Sequence, residues 1–158
     1  MRIGIQTTFL VLCTVAQAGI AQSRFDAEAV RLNNRGVAQM GQQLTGRAAA
    51  SFADARKKDP RMAQAAINEG IALLSLQKID DAKAALQAGL KLDPANPEGW
   101  YNLGLAQHDD NELSPALESF QHVVAIDPQD ADSYYYQGVC YQQQKEFDKA
   151  IAILTKAI

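Results

Sequence analysis

The chain is 158 residues long, 47% apolar and 21% charged, with a formal net charge of −3. That is enough apolar material for one ordinary domain and too much for a disordered tail. Its 15 Lys and Arg are outnumbered by 18 Asp and Glu, which argues against a nucleic-acid partner, and two Cys with two His build neither a zinc centre nor a disulfide framework.

The first element in chain order is an address. Arg2 precedes an apolar stretch centred on Phe9–Ala16, and small residues follow at Ala16-Gln17-Ala18 and Gly19-Ile20-Ala21. A short charged start, a short apolar centre and an A-x-A exit describe a secretory signal peptide. Residues 1–21 are therefore expected to be cleaved, after Ala18 or Ala21, sending the protein to a periplasmic or extracellular compartment. A transmembrane anchor needs roughly 20 apolar residues in a row. Gln6, Thr7, Thr8 and Gln17 interrupt this run, so no stable membrane insertion is expected after cleavage. Cys13 leaves with the signal, and Leu10-Val11-Leu12 before it are not the small residues that a lipoprotein site wants. The mature chain keeps 14 bases against 18 acids and one thiol, Cys140. Its stability must come from packing.

After a leader over residues 22–28, the chain repeats itself every 34 residues. Asp59-Pro60, Asp93-Pro94 and Asp127-Pro128 keep this interval, as do Gly36, Gly70, Gly104 and Gly138. So do Ala48, Ala82, Ala116 and Ala150, and the bulky set Phe52, Leu86, Phe120 and Leu154. The units are 29–62, 63–96, 97–130 and 131–158, the last incomplete. Each Asp-Pro is expected to end a unit, because proline lacks the N–H that a continuing helix needs and disfavours helical geometry just before it. Glycine and alanine are expected where paired helices cross closely. Asp80, Ser114 and Asp148 are expected to cap the second helix of their pair, with Pro115 at the first helical position. Ala82, Leu86 and Gly89, or Ala116, Phe120 and Val123, form one buried stripe per second helix.

These columns resemble the tetratricopeptide repeat (TPR) family, whose unit is a 34-residue helix–turn–helix. Unit three carries the signature best, with Trp100, Leu103, Gly104, Ala116, Phe120 and Pro128 at family positions. Arg35, Glu69 and Gln137 depart from it where Leu is usual, which is expected to loosen packing. The resemblance covers residues 29–158. It implies an all-α protein, a right-handed α-α superhelix (TPR solenoid), preceded here by the cleavable signal peptide. It also implies a concave groove, lined by first helices, that usually binds an extended or helical peptide.

By that analogy the groove positions in units one and two are Val30, Asn33, Asn34, Val37 and Met40, then Gln64, Ile67, Asn68, Ile71 and Leu74. Those of units three and four are Glu98, Tyr101, Asn102, Leu105 and His108, then Asp132, Tyr135, Tyr136, Val139 and Gln142. Asn34, Asn68 and Asn102 form a ladder whose amides can bond a peptide backbone without reading its sequence, or can simply orient their neighbours. Ile67, Ile71, Leu105, Tyr101, Tyr135 and Tyr136 supply an apolar, aromatic wall suited to an interface. Family members that clamp a chaperone's C-terminal carboxylate do so with Lys and Arg; the matching sites here are Asn33, Val37, Asn68, Glu98 and Asn102. Only Asn68 matches, and Glu98 would repel an acidic tail.

No catalytic constellation emerges. His108 with Asp109, Asp110 and Glu112 reads as a solvated turn, and Cys140 as a buried small apolar residue. Arg56, Lys57, Lys58 and Arg61 read as a solvated basic end to unit one. There is no phosphate loop, G-x-S-x-G or H-E-x-x-H. No cofactor and no metal is expected. The expectation is a non-enzymatic scaffold holding a protein or peptide ligand. The alternative is the N-terminal scaffold of a longer exported protein whose enzymatic or other functional domain lies beyond residue 158. Unit four lacks a closing Asp-Pro and a polar capping helix, so Ile151, Leu154 and Ile158 are expected to meet water or a partner, including a second copy of the chain.

Overall fold

The structure, a computed structural model, describes residues 25–157. The expected signal peptide and the cleavage sites after Ala18 and Ala21 lie outside the described residues, as does Ile158. Eight helices follow one another: α1 (Ala27–Gly41), α2 (Thr45–Lys58), α3 (Ala63–Ser75), α4 (Ile79–Leu92), α5 (Pro97–Asp109), α6 (Leu113–Ile126), α7 (Ala131–Gln143) and α8 (Phe147–Leu154). Each packs on the next in sequence, and α1 also touches α3 as α3 touches α5. The odd helices therefore share one layer and the even helices the other. No strand occurs among the described residues. The core is a string of small apolar clusters along the axis, as expected of a solenoid.

The glycine and bulky columns explain each other. A methyl group on Gly70 would lie 2.5 Å from Leu86, one on Gly104 2.8 Å from the Phe120 ring, and one on Gly138 2.5 Å from Leu154. One on Gly36 would overlap the Phe52 ring. Within each pair the first helix offers a bare backbone and the second fills the gap with a large side chain. Phe52, Leu86 and Phe120 are buried there, together with Ala48, Ala82, Ala116 and Ala150. Leu154 is half-buried against Gly138 and so does not stand free as expected, whereas Phe147 and Ile151 are exposed.

The turns inside each pair are closed by backbone alone. Gln43, Gln77, Asn111 and Lys145, again 34 residues apart, sit at φ of 59–62°. Around each, two crossed bonds end the first helix: Gln43 N–H to Met40 O at 2.9 Å and Leu44 N–H to Gln39 O at 2.9 Å in unit one. The same two bonds recur at Gln77 and Lys78, Asn111 and Glu112, and Lys145 and Glu146. This is a Schellman ending built without glycine. The residue that completes it also serves as N-cap of the next helix, so those N-caps are Leu44, Lys78, Glu112 and Glu146, none with a side-chain capping bond. Asp80, Ser114 and Asp148 consequently fall two residues too late to cap and stand at the second helical position. Pro115 stands at the third, still within the turn whose N–H groups have no helical acceptor. The two aspartates still meet the positive end of the helix dipole.

Asp59, Asp93 and Asp127 are the C-caps of α2, α4 and α6 and leave helical geometry before proline, as expected, Asp59 and Asp127 in extended conformation. Asp59 is also a fastening. It is buried, accepts the Asp26 N–H at 2.9 Å, and is gripped by the Arg61 side chain at 2.8 and 2.9 Å. The Arg61 hydrogen bonds, then that of Asp26, hold its carboxyl well below the usual carboxylate range. Arg56 pairs with buried Glu69 at 2.7 Å, tying α2 to α3. Burial raises the Glu69 carboxyl against the pull of Arg56. The basic end of unit one is thus half committed to ion pairs rather than merely solvated. Gln137, the other buried departure from Leu, keeps its amide nitrogen without a hydrogen-bond partner among the described residues. Arg35 is simply exposed. Lys83 on α4 reaches Asp110 and, at 3.1 Å, Glu112 in the next turn along.

Gly104→Ala is expected to cost about 1–3 kcal/mol in thermal or denaturant unfolding, because Phe120 has nowhere to move. Gln77→Gly is expected to stabilise by about 0.5–1 kcal/mol, since relief of the left-handed backbone outweighs the added chain entropy. Asp59→Asn is expected to lower the melting midpoint at neutral pH. A depressed carboxylate contributes above its unfolded value and loses that contribution as pH falls toward the folded one. The gap between variant and wild type should therefore begin to close below about pH 4 and narrow steadily as pH falls further. Melting curves across an acid pH series check this.

Candidate functional site

The odd helices present the concave layer, and three hollows run along it. The first, about 200 Å³, lies among Val37, Met40, Phe52, Asn68, Ile71 and Glu98. The second, about 450 Å³, is floored by Ile71, Leu74, Leu105 and Tyr136 and edged by Asn102, His108 and Asp109. The third, about 270 Å³, lies among Pro97, Glu98, Tyr101, Val123, Asp127, Asp130 and Asp132. Ile71 is common to the first two and Glu98 to the first and third, so the hollows form one interrupted groove across all four units. A separate hollow of about 350 Å³, involving α4, α5 and α6, is walled by Trp100 stacked on His122 at 3.9 Å.

The residues expected at the groove do not all reach it. Ile71, Leu105 and Tyr136 line it. Tyr101 and Tyr136 meet edge to face at 6.0 Å, and Tyr136 stacks on Phe120 at 5.4 Å, which fixes both rings as a wall. Ile67 is fully buried. It wedges between Gly89 of α4 and Gly99 of α5, where an added methyl would lie 2.6 and 3.2 Å from it. The reason lies in the register: in units one to three the fifth position faces the next first helix, and Tyr101 alone of the three also borders one of the hollows above. Asn33 there meets Asn68, Tyr101 meets Tyr136, and Tyr135 is 53% exposed.

The asparagine ladder is not a free row of amides. Asn68 donates to Asn33 Oδ1 at 3.0 Å and accepts from Gln64 at 2.9 Å. Asn102 donates to the Glu98 carbonyl at 2.9 Å, while Asn34 is exposed. The geometry at Asn68 and Asn102 matches the orienting role. An amide has two N–H groups and two lone pairs, so each retains capacity for a ligand.

Electrostatically the groove leans acidic. The Tyr101 phenol is pushed up to about 12, first by burial and then by Tyr136, Asp132 and Asp130. His108 is held by Gln143 at 3.1 Å and faces the Tyr136 ring, while Asp110 and Glu112 turn away to Lys83. Buried Cys140 has its thiol pushed up to about 11 by burial, which suits a packing residue and not a nucleophile. Among the described residues no three His, Cys, Asp or Glu side chains converge to hold a metal, and no helix is long and apolar enough to cross a membrane. Sequence reasoning did not single out Asp127 and Asp130 as groove residues. Both lie in the connection after the Asp-Pro signal, which reads as punctuation.

Comparison with known proteins agrees with this architecture. A tetratricopeptide repeat model matches residues 33–78 and 67–131, and a second such model matches 119–152. No curated protein matches the chain. Among solved structures, MamA superposes with a TM-score of 0.80 at 25% identity, over 82% of this chain and 75% of that one. MamA residues 41-end from Desulfovibrio magneticus RS-1 give 0.77 at 26% identity, over 82% and 73%. The first TPR of Spaghetti (RPAP3), bound to the HSP90 peptide SRMEEVD, gives 0.75 at 17% identity, over 77% and 97%. The all-α, right-handed superhelix expected from the repeat columns is the fold of this chain.

Proposed function

The chain belongs to the tetratricopeptide repeat family, and we propose that it is a non-enzymatic scaffold that receives a peptide or protein segment in its concave groove. The observation that carries this reading is the joined run of hollows on the odd helices, apolar in floor and amide-edged. A preformed groove of this kind captures a segment by burying side chains in pockets while amides satisfy its backbone. One structural neighbour holds the acidic peptide SRMEEVD. The corresponding clamp positions here, Asn33, Val37, Asn68, Glu98 and Asn102, carry no cation, so an acidic C-terminal tail is not the partner in this reading. Export through the signal peptide belongs to the same proposal and rests on the sequence alone.

Asn68→Ala combined with Tyr101→Ala is expected to weaken capture of a protein partner at least tenfold, about 1.4 kcal/mol. Gln87→Ala with Glu118→Ala, at the hollow beside Trp100, serves as the control. Circular dichroism establishes that both variants remain folded. Unchanged binding of every partner by the folded groove variant sinks the proposal. Sequencing the mature N-terminus from secreted or periplasmic material is expected to begin at Gly19 or Gln22; an intact Met1 overturns export.

A further inference from the structure

Beyond α1, which carries Arg31 and Arg35, the groove helices are free of Lys and Arg: none of α3, α5 and α7 contains one. The lysines after residue 62 (Lys78, Lys83, Lys91, Lys145, Lys149 and Lys156) all lie on α4, on α8, or in turns and ends beside them. The hollows follow the same division. Each of the three groove hollows is edged by at least one carboxylate, Glu98 or Asp109 among them, and none by a Lys or Arg. The two hollows elsewhere mix both signs, Lys91 with Glu118 in one and Lys149 with Glu146 in the other.

Four groove acids also lack a Lys or Arg partner among the described residues, although Asp127 and Asp130 accept the Gln129 and Ser133 N–H groups. Asp59, Glu69, Asp110, Glu112 and Glu146 all have Lys or Arg partners. Among the described residues no such ion pair includes Glu98, Asp127, Asp130 or Asp132. Acids at helix starts are ordinary, because the N-terminal dipole favours them. That accounts for Glu98 and Asp132 singly, but not for a groove in which three successive helices exclude every cation. Tyr101 in the same hollow adds a ring face that also attracts cations.

We propose that the groove selects a segment in which Lys or Arg side chains stand beside apolar ones, the cation entering the hollow between Glu98, Tyr101 and Asp132 and its apolar neighbours lying over Ile71, Leu105 and Tyr136. This deepens the groove reading above and rests on it. Opposite charge across such a surface sets both the choice of partner and the rate of encounter, and like charge repels the wrong one. The hollow lies at the rim of the groove and stays wet, so the selection weakens with salt.

The test titrates the full mature chain with short capped peptides in which leucine alternates with lysine, glutamine or glutamate. The lysine peptide is expected to bind about tenfold more tightly than the glutamine peptide at low salt, and the glutamate peptide more weakly than either. Glu98→Gln with Asp132→Asn should erase the lysine preference, so that the lysine and glutamine peptides bind alike. Asp81→Asn with Asp148→Asn, which removes the same charge from the even helices, should preserve it. Equal binding of the lysine and glutamine peptides, both abolished by Leu105→Asp, overturns the cation selection and leaves the groove reading standing. Lysine-peptide binding lowered equally by both charge pairs shows only diffuse attraction to an acidic protein and overturns the proposal. If folded Leu105→Asp protein binds every peptide as the wild type does, the groove reading itself fails, and this inference with it.

Discussion

Everything in this molecule depends on one contact made four times: a bare glycine backbone on a first helix against a large side chain on its partner. Gly36 receives Phe52, Gly70 receives Leu86, Gly104 receives Phe120 and Gly138 receives Leu154. The missing Cβ sets how near the two axes approach, and alanines at 48, 82, 116 and 150 hold that distance on the other side. Once the pair is fixed, the next pair has only one way to stack. The odd helices then meet along a common face, and the groove exists because its floor has no alternative position.

The polar contacts between units do a different job. Arg56 with Glu69, and Lys83 with Asp110 and Glu112, fasten one unit to its neighbour, while Asp59 with Arg61 and Asp26 ties the end of unit one to the start of α1. They engage three cations, Arg56, Arg61 and Lys83, away from the groove. The groove carboxylates Glu98 and Asp132 stand on helices that supply no Lys or Arg of their own. Its acidity is therefore a property of how the solenoid distributes its bases, as much as of the acids themselves.

Much of the fold was legible in the sequence because it is written in small and large side chains at a fixed interval. Glycine, alanine and Asp-Pro each act through their own covalent geometry, so their columns translate directly into crossings and endings. The turns were harder to read. Asp80, Ser114 and Asp148 have the right chemistry for capping, but the caps fall two residues earlier, in turns closed by the backbone of Gln43, Gln77, Asn111 and Lys145 where glycine is the usual choice. The site was legible only in part. Analogy placed Ile71, Leu105 and Tyr136 well, because those positions point inward in any stack. It misplaced Ile67, since the wedge it fills is made by Gly89 and Gly99 on two other helices, which helical periodicity within α3 does not reveal. The bond from Asn68 to Asn33 likewise depends on a three-dimensional neighbour, whereas Asn102 bonds back to the Glu98 carbonyl one turn earlier in its own helix.

The backbone-closed turns have a consequence for how such a chain is assembled. Because each junction completes its hydrogen bonds from main-chain atoms, it makes few demands on the identity of its side chains. A stretch of 34 residues cut anywhere in one turn and pasted at the equivalent place in another brings its own closure with it. Duplication, deletion or exchange of units thus meets little resistance at the splice, and what must be matched is the packing between neighbouring pairs. The length of the array becomes an adjustable quantity, and with it the reach of the groove.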